Sequence, residues 1–504
     1  TVRPLTAERT VRTTCGYCGV GCQLTLHVKD NMIYRTDSPF DAAPNYGNLC
    51  VKGRFGHDYL WHPDRLTTPL IRRDGHLEPA TWDEALDLVA QRLSAIKRES
   101  GPDSISFLAS AKCTNEENYL LQKLARQVIG THNIDHCARL CHSSTVTGLV
   151  QAFGSGAMTN SITDITQAKA ILAIGTNTTE NHPVIALSIK KAVRQCGAQL
   201  VVADPRQIEL ANFATLHLRH EAGTDLALLN GLAYIILEEK LHDSAFIEAR
   251  TENFQAWQAV VEGYPPDKVS QITGVPVDDL YRAARIYASH KPAAIFYTMG
   301  ITQHTVGHQN VTAVANLAML TGNIGIPGGG VNPLRGQNNV QGACDMGALP
   351  NVYTGYQRVT DETVRDRHAQ FYGVEQPPAR AGLTIPKMFQ AAYDGDIRAF
   401  YFMGENPALS EPNVTHVLEC LKAVDFLVVQ DIFLTETAEL ADVVLPTAAF
   451  AEKEGTFTNT ERRVQRVRQA LALPGEARPD WQIIGEVARR LGADGWSYPH
   501  PAAI

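Results

Sequence analysis

The chain has 504 residues, 44% hydrophobic and 19% charged, an ordinary globular composition that excludes disorder, collagen and coiled coil. Lys and Arg number 45 against 53 Asp and Glu, a net charge of −8. That argues against a nucleic-acid binder, because phosphate neutralisation needs a basic surplus. At roughly 150 residues per domain the length suggests about three domains. Apolar runs such as Leu232–Leu237 fall far short of a membrane span.

The first residues, Thr1-Val-Arg-Pro-Leu, carry no apolar stretch and no twin-Arg pair, so no targeting peptide is expected. Four of the ten cysteines then crowd together: Cys15-Gly-Tyr-Cys18-Gly-Val-Gly-Cys22, and Cys50 after 27 intervening residues. Three thiols within eight residues are too close for mutual disulfides but well placed around one soft metal centre. Four thiolates suit zinc or a [4Fe–4S] cluster. The spacing favours the cluster, since a zinc ribbon usually shows two paired x2 spacings. Reduced thiols of this kind are expected in the cytoplasm.

Cys113, Cys137, Cys196, Cys344 and Cys420 are scattered and read as small buried hydrophobes. Cys141 differs in context. It precedes His142 and Ser143-Ser144-Thr145, and the following residues can start a helix. A cysteine at a helix N-terminus beside a histidine is in a setting that favours thiolate. A buried structural thiol is the plainer reading.

Five apolar strands end in sharp polar turns, at Gly175, Asp204, Gly300, Gly404 and Asp431, with helical stretches between them. Alternation of this kind predicts parallel sheets covered on both faces. Two units look related. Gly175 to Asp204 spans 29 positions and Gly404 to Asp431 spans 27, and each is followed ten residues later by a short apolar strand. That suggests a duplicated nucleotide-binding half, with ligands at the carboxyl ends of the strands. Every α/β protein shares some of this pattern. No Gly-x-Gly-x-x-Gly follows a strand and no Walker A lysine is present, which makes NAD or ATP hydrolysis chemistry unexpected. The glycine-rich run from Leu320 through Arg335 and Gln337 to Gly347 offers backbone amides, amide side chains and one guanidinium, and suits a polar cofactor held close to the backbone.

From about Thr13 to about residue 490 the chain resembles the molybdenum- or tungsten-containing oxidoreductases that bind two molybdopterin guanine dinucleotides. Within them it looks like the catalytic subunit of a formate dehydrogenase. The motifs are the four cysteines, Cys50-Val-Lys52-Gly, Trp82-Asp-Glu-Ala-Leu, Cys141-His142, Gly175-x-Asn177 with His182-Pro, Asp204-Pro-Arg206, and Arg335-Gly-Gln-Asn-Asn-Val-Gln-Gly-Ala-Cys-Asp-Met-Gly. The resemblance implies that Cys15, Cys18, Cys22 and Cys50 ligate a [4Fe–4S] cluster and that Lys52 lies on the electron path to one pterin. Cys141 would ligate molybdenum or tungsten, His142 would handle the proton, and Arg335 would orient formate. Gly175, Asn177, Asp204, Arg206, Gly300, Gln303, Gln337, Gly404, Asn406, Gln430, Asp431 and Asp442 would hold the two dinucleotides. Formate and CO2 would be substrate and product, and a redox subunit or carrier would take the electrons.

The expected fold is α/β. A small cluster domain covers residues 1–62, rejoined by about 450–478. One doubly wound domain combines 63–137 with 338–449, a second covers 138–337, and 479–504 form a tail. The β-barrel-like C-terminal domain usual in the family is not expected within these residues; either they are part of something longer or the cap is supplied otherwise. Two alternatives stand beside formate oxidation: another reaction on the same cofactor, such as nitrate reduction, and an iron–sulfur subunit that has lost molybdenum. Cys141, His142 and Arg335 together favour formate.

Overall fold

The computed structural model describes residues 6–375 and 377–504. Its first sheet is antiparallel: β1 (Arg9–Thr14), β2 (Gln23–Lys29) and β3 (Met32–Asp37). β2 alternates half-exposed with buried residues, the period-two pattern of a sheet with one covered face. A hairpin follows, β4 (Leu70–Arg73) and β5 (His76–Pro79), then β6 (Ile105–Ala109) and β7 (Ile134–His136).

The next run of strands is β8 (Ala170–Ile174), β9 (Gln199–Ala203), β10 (Leu216–Leu218), β11 (Ala293–Tyr297) and β12 (Val331–Pro333). A small hairpin, β13 (Val352–Tyr353) and β14 (Gln357–Arg358), precedes β15 (Ala399–Met403), β16 (Phe426–Asp431) and β17 (Val443–Pro446). The hairpin β18 (Gly455–Thr458) and β19 (Val464–Val467) ends the series.

Two larger sheets organise the molecule. One is wholly parallel, in the order β10-β9-β8-β11-β12. The other runs β5-β4-β17-β16-β15-β6-β7, parallel except for its antiparallel edge hairpin. The expected duplication is present: β10-β9-β8-β11 corresponds to β17-β16-β15-β6. The Gly175 N–H bonds the Ala203 carbonyl at 3.0 Å, and the Gly404 N–H bonds the Gln430 carbonyl at 2.8 Å. Both glycines have positive φ, +57° and +63°, where other side chains are strained.

The central strands are apolar throughout because both faces are covered. In β8, Ala170, Leu172 and Ile174 face a core shared with the helices Asp225–Glu238, Val277–Ser289 and Gly307–Leu320. Ile171 and Ala173 face the helix Pro183–Cys196 and the cysteine-bearing sheet. On the larger sheet, Phe107, Tyr401 and Met403 pack against the helix Trp82–Ser100, whose Thr81 and Glu84 form a capping box worth about 1 kcal/mol.

Residues 480–490 differ from the expected tail. They form a helix, Asp480–Arg490, that buries Trp481, Ile483, Ile484, Val487 and Ala488 in this same core. β18 and β19 lean on the first sheet: Thr14 donates to the Arg466 carbonyl, and the Thr460 N–H donates to the Gly19 carbonyl.

Candidate functional site

The cysteine loop joins β1 to β2 and is closed by the Cys15 N–H donating to the Cys22 carbonyl at 2.9 Å. Cys50 caps a short helix, Val51–Phe55, and its sulfur accepts the Gly53 N–H at 3.5 Å. Burial and the neighbouring thiols push Cys15 up to about 12, and burial raises Cys18 and Cys22 as well. Three thiols whose thiolate form is disfavoured by burial, with Cys50 beside them, fit a cation that would take their protons' place. The Cys-x2-Cys-x3-Cys spacing suits a [4Fe–4S] cluster.

The duplicated halves each open a cavity at their strands' carboxyl ends. The first, about 420 Å3, is lined by Gly175, Asn177, Asp204, Arg206, Gly300 and His304, among others. The second, about 310 Å3, includes Tyr17, Lys112, Gly404, Asp431, Lys453 and Asp480. In the first, a Cβ on Gly300 would lie 2.6 Å from the Gly175 Cα, so the loops after β8 and β11 touch only because both residues are glycine. The buried Asn177 Oδ1 and His182 Nδ1 have no protein partner. A cradle of glycines with orphaned polar atoms fits a polar dinucleotide.

The remaining dinucleotide candidates divide. Asp204 accepts the Arg206 N–H at 2.9 Å, which shapes the turn after β9. Asn406 spends its side chain on Glu436 and Thr437. Gln430 is fully buried, accepts the Tyr401 hydroxyl and donates to Asp480 at 2.9 Å, so it supports the floor of the second cavity. Burial pushes Asp431 up to about 6. Gln303 donates to the Leu140 carbonyl at 2.7 Å and holds the turn carrying Cys141. Asp442 is placed elsewhere. It precedes β17, at the amino end of the sheet, and its carboxylate accepts the Leu427 N–H at 2.8 Å, far from the carboxyl ends where the cavities open.

Between the cavities lies the turn Ala138–Cys141, with His142 leading into the helix Ser143–Phe153. Cys141 therefore closes one helical turn rather than opening the long helix. Burial raises its thiol, opposed by Arg335 and the Gly336 N–H. Its sulfur lies 3.6 Å from Met299 Sδ. Cys137 also reaches the site, with its sulfur 2.9 Å from Gln337 Oε1, and Gln337 bridges in turn to Cys18. This corrects the reading of Cys137 as packing alone.

Arg335 is 1% exposed. Its Nη2 donates to the Gly156 carbonyl at 2.6 Å, while Nε and Nη1 have no partner. No described carboxylate forms an ion pair with it. A buried guanidinium with two free donors is costly until an anion meets it. His142 is fully buried, with Nε2 3.0 Å from the Leu334 carbonyl and Nδ1 3.0 Å from Thr145 Oγ1. Burial and Arg335 hold it well below the usual imidazole range.

Two features escaped the sequence reading. Lys112, after β6, donates to the Gly16 and Tyr17 carbonyls at 3.2 and 2.7 Å. Its signal was available, since Ile105–Ala109 is another apolar strand ending in a polar turn. Lys453 sits buried between Glu117 at 2.7 Å and Asp480 at 2.9 Å, and no local pattern announces it.

Comparison with known proteins follows the same two-part division. Residues 8–62 match the molybdopterin oxidoreductase Fe4S4 domain, and residues 65–490 match the molybdopterin oxidoreductase family. The F420-dependent formate dehydrogenase 1 subunit alpha of Methanococcus maripaludis is 49% identical over 483 residues, 96% of this chain and 70% of that one. Formate dehydrogenase H of Escherichia coli is 45% identical over 489 residues, 96% of this chain and 68% of that one. Among solved structures, acetylene hydratase from Pelobacter acetylenicus shares the fold, with a TM-score of 0.82 at 24% identity over 97% of this chain and 70% of that one. The paired cavities and the cysteine loop are thus those of a molybdopterin oxidoreductase with its Fe4S4 domain, the family to which this chain belongs.

Proposed function

We propose that the chain oxidises formate to CO2, releasing one proton and two electrons, at molybdenum or tungsten held by two guanine dinucleotides. The observation that carries this reading is the buried Arg335 with Nε and Nη1 unpartnered beside Cys141. A buried guanidinium with spare donors is a strong charge-assisted anchor for one small carboxylate, which would meet Nε–H or Nη1, since these point from different edges of the group. The relatives named formate dehydrogenase point the same way.

Cys141 Sγ would ligate the metal, which when bound would supply a two-electron acceptor. Arg335 binds the substrate carboxylate and fixes its orientation. His142 is held as the neutral ring: Nε2 faces a carbonyl and so carries the hydrogen, leaving the Nδ1 lone pair to accept from Thr145. Nδ1 can take the proton if the Thr145 hydroxyl rotates to become the acceptor. A carboxylate bound at Arg335 would offset the positive charge that lowers His142 and so raise its basicity toward the operating pH, where proton transfer is most efficient. Glycines and buried polar atoms around Gly175 and Gly404 hold the dinucleotides. Lys52, whose charge is felt at both Cys18 and His182, stands between the cluster and the Arg335 loop. Cys15, Cys18, Cys22 and Cys50 would hold the cluster, which would pass electrons singly to a separate redox protein, because one cluster relays but does not store a pair. The ten free thiols support a reducing compartment, the cytoplasm. No described helix is long and apolar enough to cross a membrane.

The test is metal analysis of the purified protein with formate-dependent dye reduction on the same sample. About four irons and one molybdenum or tungsten, with activity, are expected. Iron without either metal, and no dye reduction, would overturn the reading.

A further inference from the structure

Lys112 joins three parts of the molecule. Its ammonium donates to the carbonyls of Gly16 and Tyr17, the two residues between the first two cluster cysteines. The same side chain lines the second cavity, with Gly404 and Asp431. Lys112 forms no ion pair with any described carboxylate; its ammonium is held by the two carbonyls of the cysteine loop.

Its backbone is pinned as well. The Lys112 N–H donates to Ser110 Oγ at 3.1 Å, that hydroxyl donates to the Gly404 carbonyl at 2.8 Å, and the Ala111 carbonyl accepts the Asn339 N–H at 2.9 Å. Asn338, oriented to satisfy both its ends, donates to the Gly16 carbonyl at 3.0 Å beside it. A flexible side chain is thereby given a fixed base and a fixed target.

We propose that Lys112 is a second cationic positioning residue of the electron route, set between the cluster and the cavity of the β15–β16 half, which favours the reduced cluster. The inference rests on the electron route proposed above. A [4Fe–4S] cluster with four thiolates carries two negative charges when oxidised and three when reduced, so one entering electron strengthens its attraction to a fixed cation. No bond forms or breaks; one electron arrives and none of the cluster's ligands changes. Cys15 and Cys22 are buried while Lys112 is exposed, so the attraction is only partly screened by solvent. Lys52 acts from the Cys50 helix, whereas Lys112 acts from the loop after β6. The cluster is thus held between cations from two different elements.

The experiment is a mediator-dye titration of the holoenzyme, following the reduced cluster's electron paramagnetic resonance signal, with iron counted on each sample. Lys112→Met removes charge and hydrogen bonds. Lys112→Gln keeps a neutral N–H donor. Lys112→Arg keeps the charge. The Met and Gln variants should retain iron but lower the midpoint, so that the reduced-to-oxidised ratio at fixed potential falls about tenfold, or about 59 mV for one electron. The Arg variant should stay close to the parent. Unchanged midpoints in Met and Gln with full iron would overturn the proposal. Loss of iron from both would overturn it too, assigning Lys112 to holding the loop. The titration uses no formate, so its failure leaves the substrate assignment standing, and formate-dependent dye reduction tests that separately.

Discussion

Lys453→Met removes one ammonium from between two carboxylates and leaves its neighbours in place. In the parent, Nζ lies 2.7 Å from Glu117 and 2.9 Å from Asp480, and no side chain of the three is more than 3% exposed. Breaking a buried pair by deleting one partner typically costs about 3–5 kcal/mol, because the remaining charge is uncompensated. Two carboxylates are left here, so the upper part of that range is expected. The pH dependence has a definite sign. Burial already pushes Glu117 up to about 7, above its unfolded value, so its contribution favours folding at low pH and is lost as pH rises through 7. Without Lys453 that rise is larger. The variant's deficit should therefore be greatest above pH 7 and shrink toward pH 5.

Urea unfolding followed by tryptophan fluorescence reads the relevant layer, since Trp82, Trp481 and Trp496 lie in the core against which the Asp480 helix packs. The triple variant Lys453→Met, Glu117→Gln, Asp480→Asn should recover most of the loss. A deficit below about 1 kcal/mol, or one independent of pH, would refute a charge-based role for the triad.

Three further outcomes follow from the site. Arg335→Lys replaces a planar guanidinium by a shorter-reaching point charge and should raise the formate KM about ten- to hundredfold, the worth of one charge-assisted hydrogen bond; an unchanged KM removes Arg335 from substrate binding. Cys141→Ala should abolish formate turnover while iron content stays at the parental value; retained activity would exclude Cys141 as the metal ligand. Gly300→Ala places a Cβ 2.6 Å from the Gly175 Cα, forcing the two loops apart at about 1–3 kcal/mol. Guanine released on acid hydrolysis should then fall by about half, and full retention would show that the first cavity tolerates the opening.

The sequence revealed most where chemistry is local. The strands at Ala170, Gln199, Ala293, Ala399 and Phe426 are visible as apolar runs because parallel strands are buried on both faces. The cysteine spacing shows for a similar reason: its ligands must lie close along the chain. Sheet membership is less visible. β6 pairs with β15 across 294 positions, and nothing in Ile105–Ala109 says which sheet it joins. Asp442 follows the strand pattern as Ala214–Leu218 does, yet its register puts it at the sheet's amino end. The Asp480 helix reads as a tail because its amphipathic face carries no sign of what it covers. Lys453 and Glu117, separated by 336 positions, form a pair that exists only in three dimensions.

The arrangement of the two sheets also sets an order of assembly. The strands β8 to β12 lie within one continuous stretch, residues 170 to 333, so that half can close soon after it leaves the ribosome. Its counterpart cannot. β6 and β7 are synthesised early and must wait for β15 to emerge before they have their neighbour. The cysteine loop waits longer still, since Gly19 is tied to Thr460 and Thr14 to Arg466. The first cysteines made are thus among the last to be enclosed. Until residue 467 has been made the loop lacks these ties, an interval in which its thiols can meet iron, or oxygen, before the last hairpin packs over them.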